Sequence, residues 1–172
     1  MKIVLIGYRC TGKSSIGKKL AQALALPFYD TDALIEAAAG MTIREMVDLE
    51  GWPCFRQRER ECIQRVASSS DGVIATGGGA VMNPDNAAAL KDKSVVVWLM
   101  ADVDTILARL ADDAATKDQR PPLSDADVRR ETEKILEERT PVYRRLADTI
   151  IDTAVYGVDK AVEEICGRIK NA

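Results

Sequence analysis

Short apolar runs recur along the chain and predict five buried strands. The clearest are residues 2–6, a β-branched run closed by Gly7, and residues 94–100. Uninterrupted runs of this kind are typical of strands that are buried on both faces of a parallel sheet. Three further segments predict strands at 27–32, within 72–79 and at 148–152.

Amphipathic patterns between these runs predict helices. Ile16, Leu20 and Leu24 recur every four residues, which places an apolar stripe along one helix face. Segment 33–70 has a helical pattern that breaks at Gly40 and at 50–53, and further helices are predicted at about 102–110, 128–142 and 158–169. Because helices alternate with strands, we expect one α/β domain, residues 1–172, with a parallel sheet covered on both faces.

One long polar segment interrupts this alternation. Residues 111–127 contain Pro121 and Pro122 and show no hydrophobic period, so they predict a loop. Loops of this length within a compact domain are often active-site lids, the alternative being a disordered segment.

Composition narrows the classes of protein. The net charge is −3, which indicates no general affinity for nucleic acid or membranes, and the longest apolar runs are too short to span a bilayer. Residues 1–6 show no signal-peptide pattern, so we expect a cytoplasmic protein. The four cysteines form no CxxC pair and the chain has no histidine. Proton transfer must therefore fall to Asp, Glu, Lys or water.

The turn after the first strand carries a phosphate-binding motif. Residues 7–14, GYRCTGKS, match G-x-x-x-x-G-K-[ST] between a predicted strand and a predicted helix. Such a loop directs backbone N–H groups at phosphates, while Lys13 would reach the β- and γ-phosphates and Ser14 would bind Mg²⁺. We therefore predict that the chain binds a nucleoside triphosphate through Cys10, Thr11, Gly12, Lys13, Ser14 and Ser15.

Two aspartates follow the second predicted strand. Asp30 would lie near Mg²⁺ and Asp32 near an acceptor hydroxyl, since side chains two apart in an extended segment share a face. A helix-capping role is the alternative for one of them. At this point a hydrolysing switch or motor, a small-molecule kinase and a nucleotide-binding regulator all remain open.

Three arginines favour a small anionic ligand. Arg139 lies four residues after Ile135, on the apolar side of its helix, where an unpaired charge is unfavourable, so we expect it to meet either a protein carboxylate or an anionic ligand. Arg120 lies in the predicted lid, and Arg56 follows Phe55 in a predicted helix. A solvated surface role is the alternative for any one of them.

Taken in order, the motifs resemble those of the shikimate kinase family over nearly the whole chain. Besides the loop at 7–14, they are DTD at 30–32, FR at 55–56, ATGGGAV at 75–81, RPPL at 120–123 and ERTPVYRR at 138–145. The resemblance implies a P-loop NTPase fold of the nucleoside-monophosphate-kinase type, with three α/β/α layers and a five-stranded parallel sheet. It also implies a substrate-binding segment at about 31–60 and a lid at about 111–124.

The implied reaction transfers the γ-phosphate of ATP to the 3-hydroxyl of shikimate in aromatic amino-acid biosynthesis. We expect the enzyme to use Mg²⁺ and to be a monomer. By the same resemblance, Asp32 binds ring hydroxyls and is the candidate base, and Lys13 and Arg120 act on the phosphates. The remaining implied contacts are to the shikimate carboxylate (Arg56 and Arg139), to the substrate (the glycine run Gly77, Gly78 and Gly79) and to adenine (Arg109 and Tyr156).

Some positions depart from the family pattern. Trp52 stands where the family commonly has glutamate, Pro122 stands where leucine is usual, and residues 153–158 lack a polar residue often found near adenine. A gluconate kinase of the same fold is the alternative enzyme, because gluconate also carries a carboxylate and hydroxyls. An ATP-binding regulator is the non-enzymatic alternative.

Overall fold

Five parallel strands form the centre of the fold in the computed structural model, which describes residues 1–68, 71–112 and 125–170. The strands are β1 (Lys2–Ile6), β2 (Phe28–Asp30), β3 (Gly72–Ala75), β4 (Ser94–Met100) and β5 (Thr149–Asp152), in the order β2-β3-β1-β4-β5. All five predicted strands and the parallel sheet are thus confirmed.

The central strand positions the phosphate-binding loop. Ile3 of β1 pairs with Val73 of β3 on one side and with Val95 of β4 on the other. Every residue of β1 is buried, as its uninterrupted apolar run predicts. The loop that leaves Ile6 therefore starts at the carboxyl edge of the sheet, between two neighbouring strands.

The helices cover both faces of the sheet. Their bounds are α1 (Lys13–Leu24), α2 (Thr31–Ala39), α3 (Ile43–Ala67), α4 (Pro84–Lys91), α5 (Val103–Asp112), α6 (Asp125–Leu146) and α7 (Val158–Lys170), with a 3₁₀ turn at Ala80–Met82. Helices α1 and α7 pack on one face, around Leu5, Leu20 and Ile165. Helices α3, α4 and α6 pack on the other, around Ile63, Leu90 and Tyr143.

Two features of the helices differ from the sequence-based expectation. Strand β2 ends at Asp30 rather than at 32, because the Asp30 carboxylate accepts hydrogen bonds from the backbone of Asp32 and Ala33 and caps α2. Asp32 is therefore helical, and the extended geometry expected for the two aspartates is wrong. The break expected at 50–53 is a kink within α3, at Gly51 (φ 81°).

Helix α4 was not predicted, since its small and polar residues show little apolar period. The Asn83 side chain caps this helix by accepting hydrogen bonds from the backbone of Asp85 and Asn86.

Among the described residues no helix has both the length and the apolar character needed to cross a membrane. The loop expected at 111–127 is shorter at both ends, because α5 continues to Asp112 and α6 begins at Asp125. The rest of it, including Arg120, lies outside the described residues.

Candidate active site

Glycines shape the loop between β1 and α1. Gly7 has φ 141°, and a Cβ atom there would lie 2.3 Å from the carbonyl oxygen of Leu99. Gly12, with φ 89°, precedes the first turn of α1. Both positions require glycine, since other residues rarely adopt this backbone conformation. The loop thus places its N–H groups at the positive end of α1, the usual arrangement for binding phosphate.

Lys13 crosses the loop from the first turn of α1. Its Nζ donates to the carbonyl oxygens of Gly7 at 2.9 Å and Tyr8 at 2.6 Å, in a buried position. Burial lowers the pKa of Lys13 to about 8, while the charge of Asp32 opposes this shift. The ammonium group is therefore held inside the loop and protonated at neutral pH.

Ser14 and Asp30 lie together at the rim of the loop. The Ser14 hydroxyl donates to Oδ2 of Asp30 at 2.6 Å, while Oδ1 of Asp30 caps α2. One hydroxyl and one carboxylate suit Mg²⁺, which takes oxygen ligands and commonly completes its shell with water and substrate phosphates. Among the described residues, no group of three or more His, Cys, Asp or Glu side chains has the arrangement of a metal site. The pair thus fits a magnesium ion that is bound together with a nucleotide.

A cavity of about 350 Å³ lies on one side of the loop and is called the nucleotide cavity here. Arg109 fixes its wall by donating to the carbonyl oxygen of Cys10 at 3.1 Å and to Oγ1 and the carbonyl oxygen of Thr153 at 3.0 and 2.5 Å. Its lining is Cys10, Thr11, Gly12, Ser15, Ile16, Arg109, Thr153, Tyr156, Gly157 and Val158. Arg109 and Tyr156, both predicted near adenine, thus line one cavity with the loop.

A larger cavity of about 620 Å³ also borders the loop, at Tyr8 and Arg9, and is called the acceptor cavity. The predicted residues that line it are Asp32, Arg56, Gly77, Gly78, Gly79 and Arg139. The structure adds charged and aromatic residues for which the sequence analysis assigned no role, namely Tyr8, Arg9, Glu36, Arg44, Asp48, Trp52 and Glu59. A small acid with several hydroxyls finds both cations and hydrogen-bond acceptors in this lining.

Asp32 lies where the acceptor cavity approaches Lys13. Burial raises the pKa of Asp32 to about 6, and Lys13 opposes that rise. The space that would hold a Cβ atom at Gly77 lies 2.6 Å from Oδ1 of Asp32, so glycine is needed for this close approach. Near neutral pH the group is a carboxylate with raised basicity, as a proton acceptor requires.

Arg56 is held by a buried carboxylate. Its Nη1 donates to Oε2 of Glu59 at 2.6 Å, and Glu59 is 1% exposed. The guanidinium carbon lies 5.4 Å from the ring centroid of Trp52 and 5.0 Å from that of Phe55. Arg56 is thus positioned by a charge and by two rings, with its remaining donors available at the cavity.

Gly78 of the glycine run lies against both Arg139 and Tyr143. The fully buried Tyr143 donates its hydroxyl to the carbonyl oxygen of Gly78 at 2.5 Å. Burial raises the pKa of Tyr143, which the neighbouring Arg139 opposes. A Cβ atom at Gly78 would lie 3.3 Å from Nη1 of Arg139, so the small residue lets the guanidinium pack against the run.

Sequence reasoning missed the contribution of Arg9, Glu36, Arg44 and Asp48 to the acceptor cavity. Arg9 lies inside the recognised motif, but at a position where the motif accepts any residue. The other three lie on surface-like helical segments, and no local pattern distinguishes them from solvated charges. Only the packing of α2 and α3 brings them to the cavity.

Both cavities border the phosphate-binding loop, one at Tyr8 and Arg9 and the other from Cys10 to Gly12, and the charges of Lys13 and Asp32 interact. This arrangement and the sheet define a P-loop kinase that acts on a small molecule.

Comparisons with known proteins identify the family: the shikimate kinase model matches residues 9–170, so the chain belongs to the shikimate kinase family. A curated shikimate kinase from Syntrophus aciditrophicus is 46% identical, with 98% of this chain and 91% of that relative covered. The structure of shikimate kinase from Acinetobacter baumannii in complex with shikimate matches with a TM-score of 0.90 at 31% identity, covering 99% of this chain and 93% of that one.

The alternative enzyme has a weaker likeness. A gluconokinase from Sinorhizobium meliloti matches with a TM-score of 0.57 at 18% identity over 99% of this chain and 94% of that one, which shows a common fold alone. The resemblance to shikimate kinases and the nucleoside-monophosphate-kinase type of fold are both confirmed. The chain is an ATP-dependent kinase of this family rather than a regulator.

Proposed function

We propose that the chain transfers the γ-phosphoryl group of ATP to the 3-hydroxyl of shikimate, giving 3-phosphoshikimate and ADP. The observation that carries this proposal is the acceptor cavity itself, whose lining brings Arg56 and Arg139 together with Asp32, a carboxylate of raised basicity, beside the phosphate-binding loop. Shikimate offers one carboxylate and three hydroxyls, which match these groups. ATP would occupy the loop and the nucleotide cavity.

Positioning and charge stabilisation dominate this mechanism. Backbone N–H groups of the loop bind the phosphates, and the protonated Lys13 neutralises charge that spreads over the transferred group. Arg56 and Arg139 bind the shikimate carboxylate with paired donors, which turns the ring toward the loop. Asp32 orients the acceptor hydroxyl and takes its proton as the new O–P bond forms.

Further residues are proposed to bind Mg²⁺, adenine and the phosphates of ATP. Ser14 and Asp30 would hold Mg²⁺, which supplies neutralisation of phosphate charge when bound. Tyr156 would lie at the edge of adenine, with Arg109 on its face. Arg120 would close over the phosphates; this role rests on the resemblance, since Arg120 lies outside the described residues.

We further propose a cytoplasmic monomer. All residues assigned to the two cavities come from one chain, so the site needs no second copy. Sedimentation of the protein with and without ligands tests the monomer, and a shift to a dimer on ligand binding would contradict it.

The function is tested by ADP release with shikimate, with gluconate and without an acceptor, each with Mg²⁺ and with excess chelator. We expect release only with shikimate and Mg²⁺, and a product whose ³¹P–¹H coupling identifies the 3-position. ADP release that is equal without an acceptor would identify a hydrolase. Faster release with gluconate would identify the alternative kinase.

A further inference from the structure

We propose that Arg9 is an additional substrate-contacting residue that binds the phosphoryl group on the acceptor side, both during transfer and in the phosphorylated product. The inference rests on the proposed function and assigns a role to the third position of the phosphate-binding loop. At this position the loop motif places no requirement on the side chain.

The loop turns from one cavity to the other at this residue. Cys10, Thr11 and Gly12 line the nucleotide cavity, whereas Tyr8 and Arg9 line the acceptor cavity. The backbone of Arg9 stays close to the reaction centre, because Lys13 donates to the carbonyl oxygen of the preceding Tyr8 at 2.6 Å. Arg9 therefore joins the phosphate-binding backbone to the space that holds the acceptor.

The glycine run fixes this position from the opposite wall. A Cβ atom at Gly78 would lie 3.5 Å from the backbone nitrogen of Arg9, 3.5 Å from the carbonyl oxygen of Gly7 and 3.3 Å from Nη1 of Arg139. The missing side chain lets these groups converge on one point. The backbone of Arg9 is thus packed against the glycine run.

The guanidinium of Arg9 has two buried donors that no described residue accepts from. Its Nε and Nη2 atoms are enclosed and have no hydrogen-bond acceptor among the described residues, although Arg9 as a whole is only partly buried. Its guanidinium carbon lies 5.5 Å from the ring centroid of Tyr8. Buried donors of a cation without an acceptor are strongly unfavourable, so an anionic ligand is the expected partner.

Two of the other three arginines that line the acceptor cavity have carboxylate partners. Arg56 is paired with Glu59 at 2.6 Å, and Arg44 lies 3.6 Å from Asp48. The shikimate carboxylate has two oxygens, which Arg56 and Arg139 can bind. The phosphoryl group brings three more charged oxygens into the cavity as it leaves the nucleotide, and a guanidinium matches their geometry. Arg9 lies on the loop that releases this group and faces the cavity that receives it.

The test compares Arg9→Gln and Arg9→Lys with the parent, and uses Arg145→Gln on the exposed side of α6 as the matched control. Calorimetry measures the affinities for shikimate, 3-phosphoshikimate and ADP, and steady-state kinetics gives kcat and KM. For Arg9→Gln we expect the affinity for 3-phosphoshikimate and kcat to fall by about 10- to 100-fold. Shikimate and ADP affinities should stay within about threefold, and Arg9→Lys should recover part of both losses.

A merely structural role would give a different pattern. Equal losses of affinity for shikimate and 3-phosphoshikimate, parallel loss of ADP affinity, or parent-like product binding in Arg9→Gln would each overturn the assignment. The activity of the parent protein distinguishes a failure of this inference from a failure of the proposed function. Failure of the parent to phosphorylate shikimate overturns the function, whereas an active parent with an unaffected Arg9→Gln variant overturns the role of Arg9 alone.

Discussion

The nucleotide and acceptor sides of the proposed site are built from different parts of the chain. The nucleotide side consists largely of the loop and first helical turn between Cys10 and Ile16, with Arg109 and Thr153 completing the wall. The acceptor side consists of side chains from α2, α3 and α6, together with Tyr8 and Arg9 of the loop and the backbone of the glycine run. In the proposed function, phosphate binding would therefore depend on a local backbone shape, whereas acceptor recognition would depend on the packing of several helices. Substitutions on the two sides should consequently be separable, except at Lys13 and Asp32, which interact across the boundary.

Lys13→Ala should have the largest effect, because Lys13 serves both sides. We expect kcat to fall by more than about a thousandfold, since the ammonium group stabilises the transferred phosphoryl charge. The overall fold should persist, as measured by circular dichroism. Lys18→Ala, an exposed lysine on the same helix, is the control and should keep parent-like turnover. A Lys13→Ala variant that retains most activity would contradict the assignment.

Asp32→Asn should be the next most damaging change, and its main effect should be on turnover of the acceptor. The substitution keeps the size of the side chain but removes the proton acceptor, so we expect kcat to fall by about a hundredfold or more. Shikimate should still bind in calorimetry, and the Mg²⁺ dependence should remain that of the parent. Asp30→Asn should instead raise the Mg²⁺ concentration needed for half-maximal rate. If the two variants exchange these behaviours, the assignment of the aspartates is reversed.

Arg139→Lys should weaken shikimate binding by about 10- to 100-fold, because one point charge replaces a two-pronged donor at a carboxylate. The affinity for ATP should stay the same, since Arg139 lines the acceptor cavity only. Titrating each ligand separately measures both values. Arg145→Lys, on the exposed side of the same helix, supplies the control. Equal losses for the two ligands would show that the two sides are not independent.

The raised pKa of Asp32, about 6, predicts an effect on stability. The pKa of a free aspartate is about 3.9, so the free energy of unfolding decreases as the pH rises from about 4 to about 6, and stays lower at higher pH. Asp32→Asn remains neutral and should exceed the parent by about 1–3 kcal/mol at pH 7. Denaturant titrations should show this advantage shrinking at pH values near 4. An advantage that does not change with pH would contradict the burial of an ionisable group here.

Gly79→Ala should give the smallest effect, of about 3- to 10-fold on shikimate affinity. The new Cβ would lie 2.9 Å from Nη2 of Arg56, a flexible group that can move aside but would then leave its binding position. ATP affinity should not change. Gly167→Ala on α7, where a Cβ would meet nothing within 4 Å, is the control. An unchanged shikimate affinity in Gly79→Ala would contradict the hypothesis that Arg56 binds the shikimate carboxylate.

The order of strands along the chain and the phosphate-binding loop could be predicted because their signals are local. An apolar run such as residues 94–100 is buried wherever it pairs, and the loop motif specifies its own backbone shape. Helix α4 escaped prediction because its residues show little apolar period. The boundary at Asp30 was missed because a side-chain cap, rather than hydrophobicity, ends the strand and starts the helix.

By itself the sequence determined an α/β fold, a triphosphate-binding loop and, through ordered motifs, the family to which the chain belongs. Only the tertiary structure decided which charges share the acceptor cavity. Arg9, Arg44 and Asp48 look like ordinary polar residues along the chain, and they acquire a common environment when α2 and α3 pack beside the loop. The structure likewise decided the pKa values of Asp32 and Lys13, because burial and the nearby opposite charge arise from segments that meet only in the folded protein.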